Sequence, residues 1–167
     1  PVPKGQVADT PEQALKIAQE IAGPVVVKAQ VLMGGRGKAG GVKLFDTANE
    51  AEAFTKELIG KRLVSIQNPA GMIVDRVLVA EQVDIAEEYY VAVLLDRDIQ
   101  KHVVMLSAKG GVDIEEVAKT EPQAIQRFHI DPAWGLSDYE IRTAIRKAGI
   151  PKPAHNKLVS LIKGLVK

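Results

Sequence analysis

"VVVKAQVLMGGRGKAGGVKLF", residues 25–45, sets five glycines, Arg36 and Lys38 between two runs with strand propensity. Gly35, Gly37 and Gly40 satisfy G-x-G-x-x-G, a spacing shared by unrelated phosphate-binding designs, so the spacing alone does not choose among them. A dinucleotide fold needs a helix straight after the loop, so that its N-terminus faces a pyrophosphate. Here the strand-prone "VKLF" follows instead. The Walker pattern fails as well, because Ala39 follows Lys38 where a Ser or Thr would hold magnesium. What is left is strand, glycine loop, strand: a flap whose backbone N–H groups can close over a polyphosphate because no Cβ blocks the approach. "GRGKAGGV" also fits the protein-kinase loop, but the kinase lysine comes after its loop and Lys28 comes before this one. No H-R-D or D-F-G follows. A flexible hairpin tip with solvated cations is the competing reading.

Alternation along the first run puts Lys28 and Gln30 on the face of Val26 and Leu32. A lysine midway along an apolar strand is costly to desolvate unless an anion compensates it, and a phosphate beneath the flap would do so. The alternative is a lysine that snorkels to water from an edge strand. In "RVLVAEQV", residues 76–83, Glu81 falls on the face of Val77, Val79 and Val83, where a carboxylate is out of place unless the strand is ending. As a connection between two lobes, this segment can offer backbone C=O and N–H groups to a purine edge. Glu88 follows and can accept hydrogen bonds from ribose hydroxyls. Glu87 reads as a solvated acidic turn.

The remaining composition sets limits. At 167 residues the chain can bury a core, as one domain or two small lobes. Aromatics make up 4%, so that core rests on Val, Ile, Leu and Ala. Twenty-two Lys and Arg against 21 Asp and Glu give a formal charge of +1, no field to recruit nucleic acid or an anionic membrane, and any anion site must be local. Without cysteine there is no disulfide, thiolate metal site or cysteine nucleophile, which fits a cytoplasmic location. His102, His129 and His155 have no partner pattern and read as structural or exposed.

Four helix starts are signalled by an N-cap residue with a back-bonding partner three positions on: Thr10 with Gln13, Thr47 with Glu50, Asp113 with Glu116, and Ser137 with Glu140. Ala14, Ile17, Ala18 and Ile21 then form one apolar face before Gly23-Pro24, and Ile141, Ala144, Ile145 and Ala148 form another before Gly149. A last stripe runs through Leu158, Val159, Leu161, Ile162, Leu165 and Val166. Strand-prone runs lie between the helices: "VVVKAQVL", "VKLF", "RVLVAEQV", "YYVAVLLD" and "HVVML". The expected organisation is two α+β lobes with antiparallel sheets, residues 1–83 and 84–167, and the chain reads as a fragment, from Pro1 to Lys167, of something longer.

"VVVKAQVLMGGRGKAGGVKL", "VLVAEQVDIAEEYYVAVLLDR" and "GGVDIEEVA" together resemble the ATP-grasp region of succinyl-CoA synthetase β subunits, the ADP- or GDP-forming succinate–CoA ligases. Malate–CoA ligase β subunits are close relatives. The resemblance implies an ATP-grasp fold, truncated here at the C-terminus, with the nucleotide held between two α+β lobes. By position, Lys28 would contact phosphates, Gly35, Arg36 and Gly37 would form the loop over them, Ala80, Glu81 and Val83 would meet the base, and Glu88 would be a further nucleotide contact. Family members often have an acidic residue where Ala80 stands, which leaves that segment a backbone role. They also read "TEGGV" where this chain has "AKGGV", so Lys109 reverses a charge. The implied cofactors are ATP or GTP with Mg2+, whose ligands in the family lie past the end of this chain. The implied partner is the α subunit, which carries the phosphohistidine, with CoA and succinate reached through the full complex. Another ATP-grasp acyl-CoA ligase, acting on malate for example, and a non-catalytic binding or assembly module are the alternatives.

Overall fold

The computed structural model describes residues 2–66 and 68–166; Pro1 and Lys167, named above as the ends of the chain, lie outside them. The chain divides into two compact units, Pro1–Asp84 and Ile85–Lys167.

The first unit contains β1 (Gly5–Ala8), α1 (Pro11–Ile21), β2 (Val25–Ala29), β3 (Val42–Phe45), α2 (Ala48–Leu58), β4 (Arg62–Ser65), β5 (Asn68–Ile73) and β6 (Val77–Glu81). Four strands make an antiparallel sheet in the order β1-β6-β2-β3, while β4 and β5 pair separately. Opposed residues share a face. Val25 stands opposite Phe45, Val27 opposite Val79, and Ala29 and Ala8 both opposite Val77. These residues form one core with Ala14, Ile17 and Ala18 of α1 and Ala51 and Leu58 of α2. The other face carries Val26, Lys28, Val42, Leu44, Leu78 and Ala80 by the same register. β2 thus has one wholly apolar face and one that includes a cation.

The helix starts follow local chemistry. The hydroxyls of Thr10, Thr47 and Ser137 and the carboxylate of Asp113 accept from the N–H three positions on, and Ser137 with Glu140 closes a full capping box. α1 ends one residue earlier than its Gly-Pro pair suggests, on Ala22, whose N–H still bonds the Ala18 carbonyl and whose left-handed φ of 56° turns the following chain out of the helix. In α2 the buried Thr55 hydroxyl donates to Ala51 O at 2.7 Å, so its burial leaves no polar group unmet.

β2 is shorter than "VVVKAQVL". The chain leaves the ladder at Gln30, whose N–H goes to Arg76 O at 3.0 Å, and Leu32 is 95% exposed, so only Val26 shares the face of Lys28 within this strand. Four strands carry no strong sequence signal: β1, β4, β5 and β9 (Ile125–His129).

The second unit contains β7 (Tyr90–Asp96), β8 (Lys101–Ser107), α3 (Ile114–Thr120), β9, α4 (Asp138–Lys147) and α5 (His155–Val166). Its antiparallel sheet, β7-β8-β9, places Val104 and Leu106 in a core with Ile141, Ala144 and Ile145 of α4 and Leu158, Val159 and Ile162 of α5. The α5 stripe is narrower than its composition suggests, since Leu161 and Leu165 are about half exposed, at 46% and 54%. Among the described residues, no helix is long and apolar enough to cross a membrane.

Candidate functional site

The glycine segment is not an open hairpin tip. Ala39 N–H bonds Gly35 O at 3.0 Å, Gly40 N–H bonds Gly37 O at 3.1 Å, and Gly41 N–H bonds Arg36 O at 2.8 Å. The last two are the paired bonds of a Schellman closure, and Gly40, with φ of 78°, takes its left-handed position. Residues 35–41 therefore form one helical turn that is capped where it ends. As at any helix start, the first N–H groups lack an internal acceptor. Those of Gly35, Arg36 and Gly37 have no hydrogen-bond partner among the described residues. Consecutive donors of this kind form an anion-binding concavity.

The turn is fastened to β2 beside Lys28. Ala29 N–H donates to Gly41 O at 2.7 Å, and Arg36 Nη1 donates to Ala29 O at 2.8 Å. The Arg36 side chain thus holds the loop, while its N–H stays available. Lys28 is half-buried, and its ammonium group has no ion pair or hydrogen bond among the described residues. Lys43 is placed differently. It extends over the rings of Phe45 and Phe54, with Nζ 5.5 and 5.9 Å from their centroids, a cation–π stack within the unit.

The segment after β6 divides between internal and open groups. Ala80 is 4% exposed and packs on the bare Cα of Gly5, so its side chain is enclosed by the sheet. Glu81 is turned toward β1, where its Oε1 accepts from Lys4 N–H at 2.9 Å and its own N–H donates to Lys4 O at 2.8 Å. Gln82 N–H goes to Pro24 O at 3.0 Å. Val83 N–H is the first donor past the strand with no internal acceptor among the described residues. The Lys4 N–H thus gives the carboxylate of Glu81 a partner at the strand end, which explains how it can share the face of Val77 and Val79.

In the second unit the paired carboxylates differ. Glu87 Oε2 is taken by the Tyr89 hydroxyl, and that hydrogen bond holds the phenol above the usual tyrosine range. Glu87 thus has a protein partner where the sequence suggested a solvated turn. The exposed Glu88 carboxylate has no hydrogen bond or ion pair among the described residues, while its backbone carbonyl accepts from Gly110 N–H at 2.9 Å. Gly110 and Gly111 lie against it so closely that neither has room for a Cβ. In the sequence the two glycines open the stretch "GGVDIEEVA", which says nothing of this contact.

The three histidines are not brought together. His129 Nε2 lies 3.0 Å from Asp96 Oδ2, and His155 Nε2 lies 2.8 Å from Ile150 O. Lys109 pairs with Glu121 at 2.5 Å, which gives the reversed charge a local role. No group of three His, Cys, Asp or Glu side chains among the described residues is placed to hold a metal ion.

A family model described as an ATP-grasp domain matches residues 1–167. The chain is 50% identical over 165 residues to the Thermus thermophilus succinate–CoA ligase [GDP-forming] subunit beta, covering 99% of this chain and 42% of that protein. It is 47% identical over 163 residues to the Persephonella marina succinate–CoA ligase [ADP-forming] subunit beta, covering 96% and 42%. A solved structure from Pyrococcus horikoshii Ot3 superposes with a TM-score of 0.71 at 22% identity, over 99% of this chain and 70% of that one, a likeness of fold. The chain spans less than half the length of the curated relatives it matches.

Proposed function

This chain belongs to the ATP-grasp family, and on that premise we propose that it is the nucleotide-holding part of a succinate–CoA ligase β subunit. The observation that carries the reading is one juxtaposition in the first unit. Three N–H groups without a partner among the described residues, at Gly35, Arg36 and Gly37, open a turn whose two ends are tied to Ala29, the residue that follows Lys28, whose ammonium is likewise without a partner among the described residues. Fixed donors and a cation without a counter-ion suit the β- and γ-phosphates of ATP or GTP. Val83 N–H is the group offered to the base, and Glu88 the acceptor offered to the ribose.

In this reading the γ-phosphoryl group passes reversibly between the nucleotide and a histidine of the α subunit. Succinate and CoA are joined in the full cytoplasmic complex. The donors of this chain act by holding charge where it builds up during transfer, and a pre-formed turn does so without reorganising. Mg2+ would accompany the nucleotide on ligands other than the described residues.

Calorimetric titration of the protein with magnesium ATP and magnesium GTP tests the assignment. Lys28→Ala is expected to weaken binding by about tenfold or more, the scale of a hydrogen bond to a charged group. Equal affinity in both forms would refute the role of Lys28. No binding by the parent protein would refute the whole reading.

A further inference from the structure

Glu88 is a long side chain on an exposed segment, and no hydrogen bond or ion pair among the described residues fixes its carboxylate. Such a group ordinarily samples many rotamers and gains little by binding a neutral hydroxyl, because ordering it costs what the contact supplies. Here its backbone and its carboxylate both rest on one glycine pair. The backbone is held by Gly110, whose N–H bonds Glu88 O; a Cβ on Gly110 would overlap the Glu88–Tyr89 peptide, with Tyr89 N at 2.6 Å. The carboxylate lies on the bare Cα of Gly111, where an added Cβ would overlap Oε2 and stand 3.0 Å from Cδ. Gly111 also has φ of 66°, so two separate constraints exclude a side chain there.

The two glycines therefore do different work. A Cβ on Gly110 meets backbone that cannot yield, whereas a Cβ on Gly111 meets the end of a flexible side chain that can. At Gly111 the fold can relieve the clash by moving the carboxylate, which leaves only the strain of the left-handed backbone. We infer that Gly111 is a positioning residue: it seats the carboxylate of Glu88 so that both oxygens can accept from the vicinal hydroxyls of a nucleotide ribose. The inference rests on the nucleotide reading above and adds to it the residue that sets ribose selectivity.

The test compares magnesium ATP with its 2′,3′-dideoxy analogue by calorimetry on five proteins: the parent, Glu88→Ala, Gly111→Ala, Gly111→Asn and the Glu88→Ala/Gly111→Ala double variant. Asparagine tolerates the left-handed backbone better than alanine yet carries the same Cβ, so it keeps the test open if alanine impairs folding. The parent is expected to favour ATP by about tenfold or more, as for hydrogen bonds to a carboxylate. Both Gly111 variants should lose that preference while binding the dideoxy analogue within about twofold of the parent, and the double variant should match Glu88→Ala. The inference is overturned if Glu88→Ala loses the preference and the Gly111 variants keep it, or if they weaken both nucleotides alike. A parent that binds both nucleotides equally also overturns the inference, whereas a parent that binds neither refutes the nucleotide reading itself.

Discussion

Two glycine-rich segments of this chain use the same residue for opposite ends. In residues 35–41 the backbone curls into a turn that closes on itself at Gly40, leaving N–H donors uncovered at its start. At residues 110–111 the glycines donate space: the missing side chains are the floor on which an acceptor, the Glu88 carboxylate, comes to rest. One segment presents positive dipoles through its own backbone, and the other presents negative charge through a side chain from elsewhere in the unit. A glycine in a sequence is thus ambiguous until its neighbours in space are known.

Substitutions separate these uses, and the largest effect belongs to Gly110. Gly110→Ala forces a methyl group into the Glu88–Tyr89 peptide and should cost the second unit about 3 kcal/mol, read as a lower denaturation midpoint. Gly40→Ala meets nothing within 4 Å but keeps a left-handed backbone, so only conformational strain is added, about 1 kcal/mol in the same assay. Gly37→Ala meets neither obstacle and should change stability by no more than about 0.5 kcal/mol. If the turn covers phosphate, Gly37→Ala still weakens nucleotide binding; an unchanged affinity would show that the donors face elsewhere.

Acid should divide the units in a gentler way. In the second unit Asp96 is held below the usual carboxylate range by its hydrogen bond to His129, Asp131 by the Ala133 N–H and by Lys101, and Asp138 by Lys163. In the first unit the corresponding case is Glu12, lowered by backbone N–H groups at the start of α1 and by Thr10. A carboxylate lowered in the folded state adds stability above its unfolded pKa, near 4, and that contribution is lost as pH falls through the lower folded value. Hydrogen exchange followed from pH 6 to pH 3 is expected to show the second unit loosening first. Equal loss of protection in both units would contradict that expectation.

Much of this was legible where the physics is local. All four N-caps were readable because the capping residue and its partner lie three positions apart, and the apolar faces of α1 and α4 because helical spacing writes them into the chain. β1 was not, since Gly5 has no strand preference of its own and is placed by Ala80 across the ladder. β9, with Gln126, Arg127 and His129 among its five residues, is likewise a strand only because β8 pairs with it. At the candidate site, Lys28 and the Gly35–Gly37 stretch stood out by residue type. The Schellman closure did not, because it depends on bond angles that the strand-loop-strand pattern leaves open. The seat of Glu88 was hidden for a plainer reason: its two halves are separated by a whole β-hairpin.

The attachment of the glycine turn to β2 bears on how a ligand would enter. Ala29 is bound through its N–H to Gly41 and through its carbonyl to Arg36, and Val31, Met33 and Ala39 are partly buried against the same core. A loop moored at both ends and along its near limb meets a ligand as a lip already formed in the fold. Most of the entropy of ordering it has then been spent during folding, so less is subtracted from the free energy of binding.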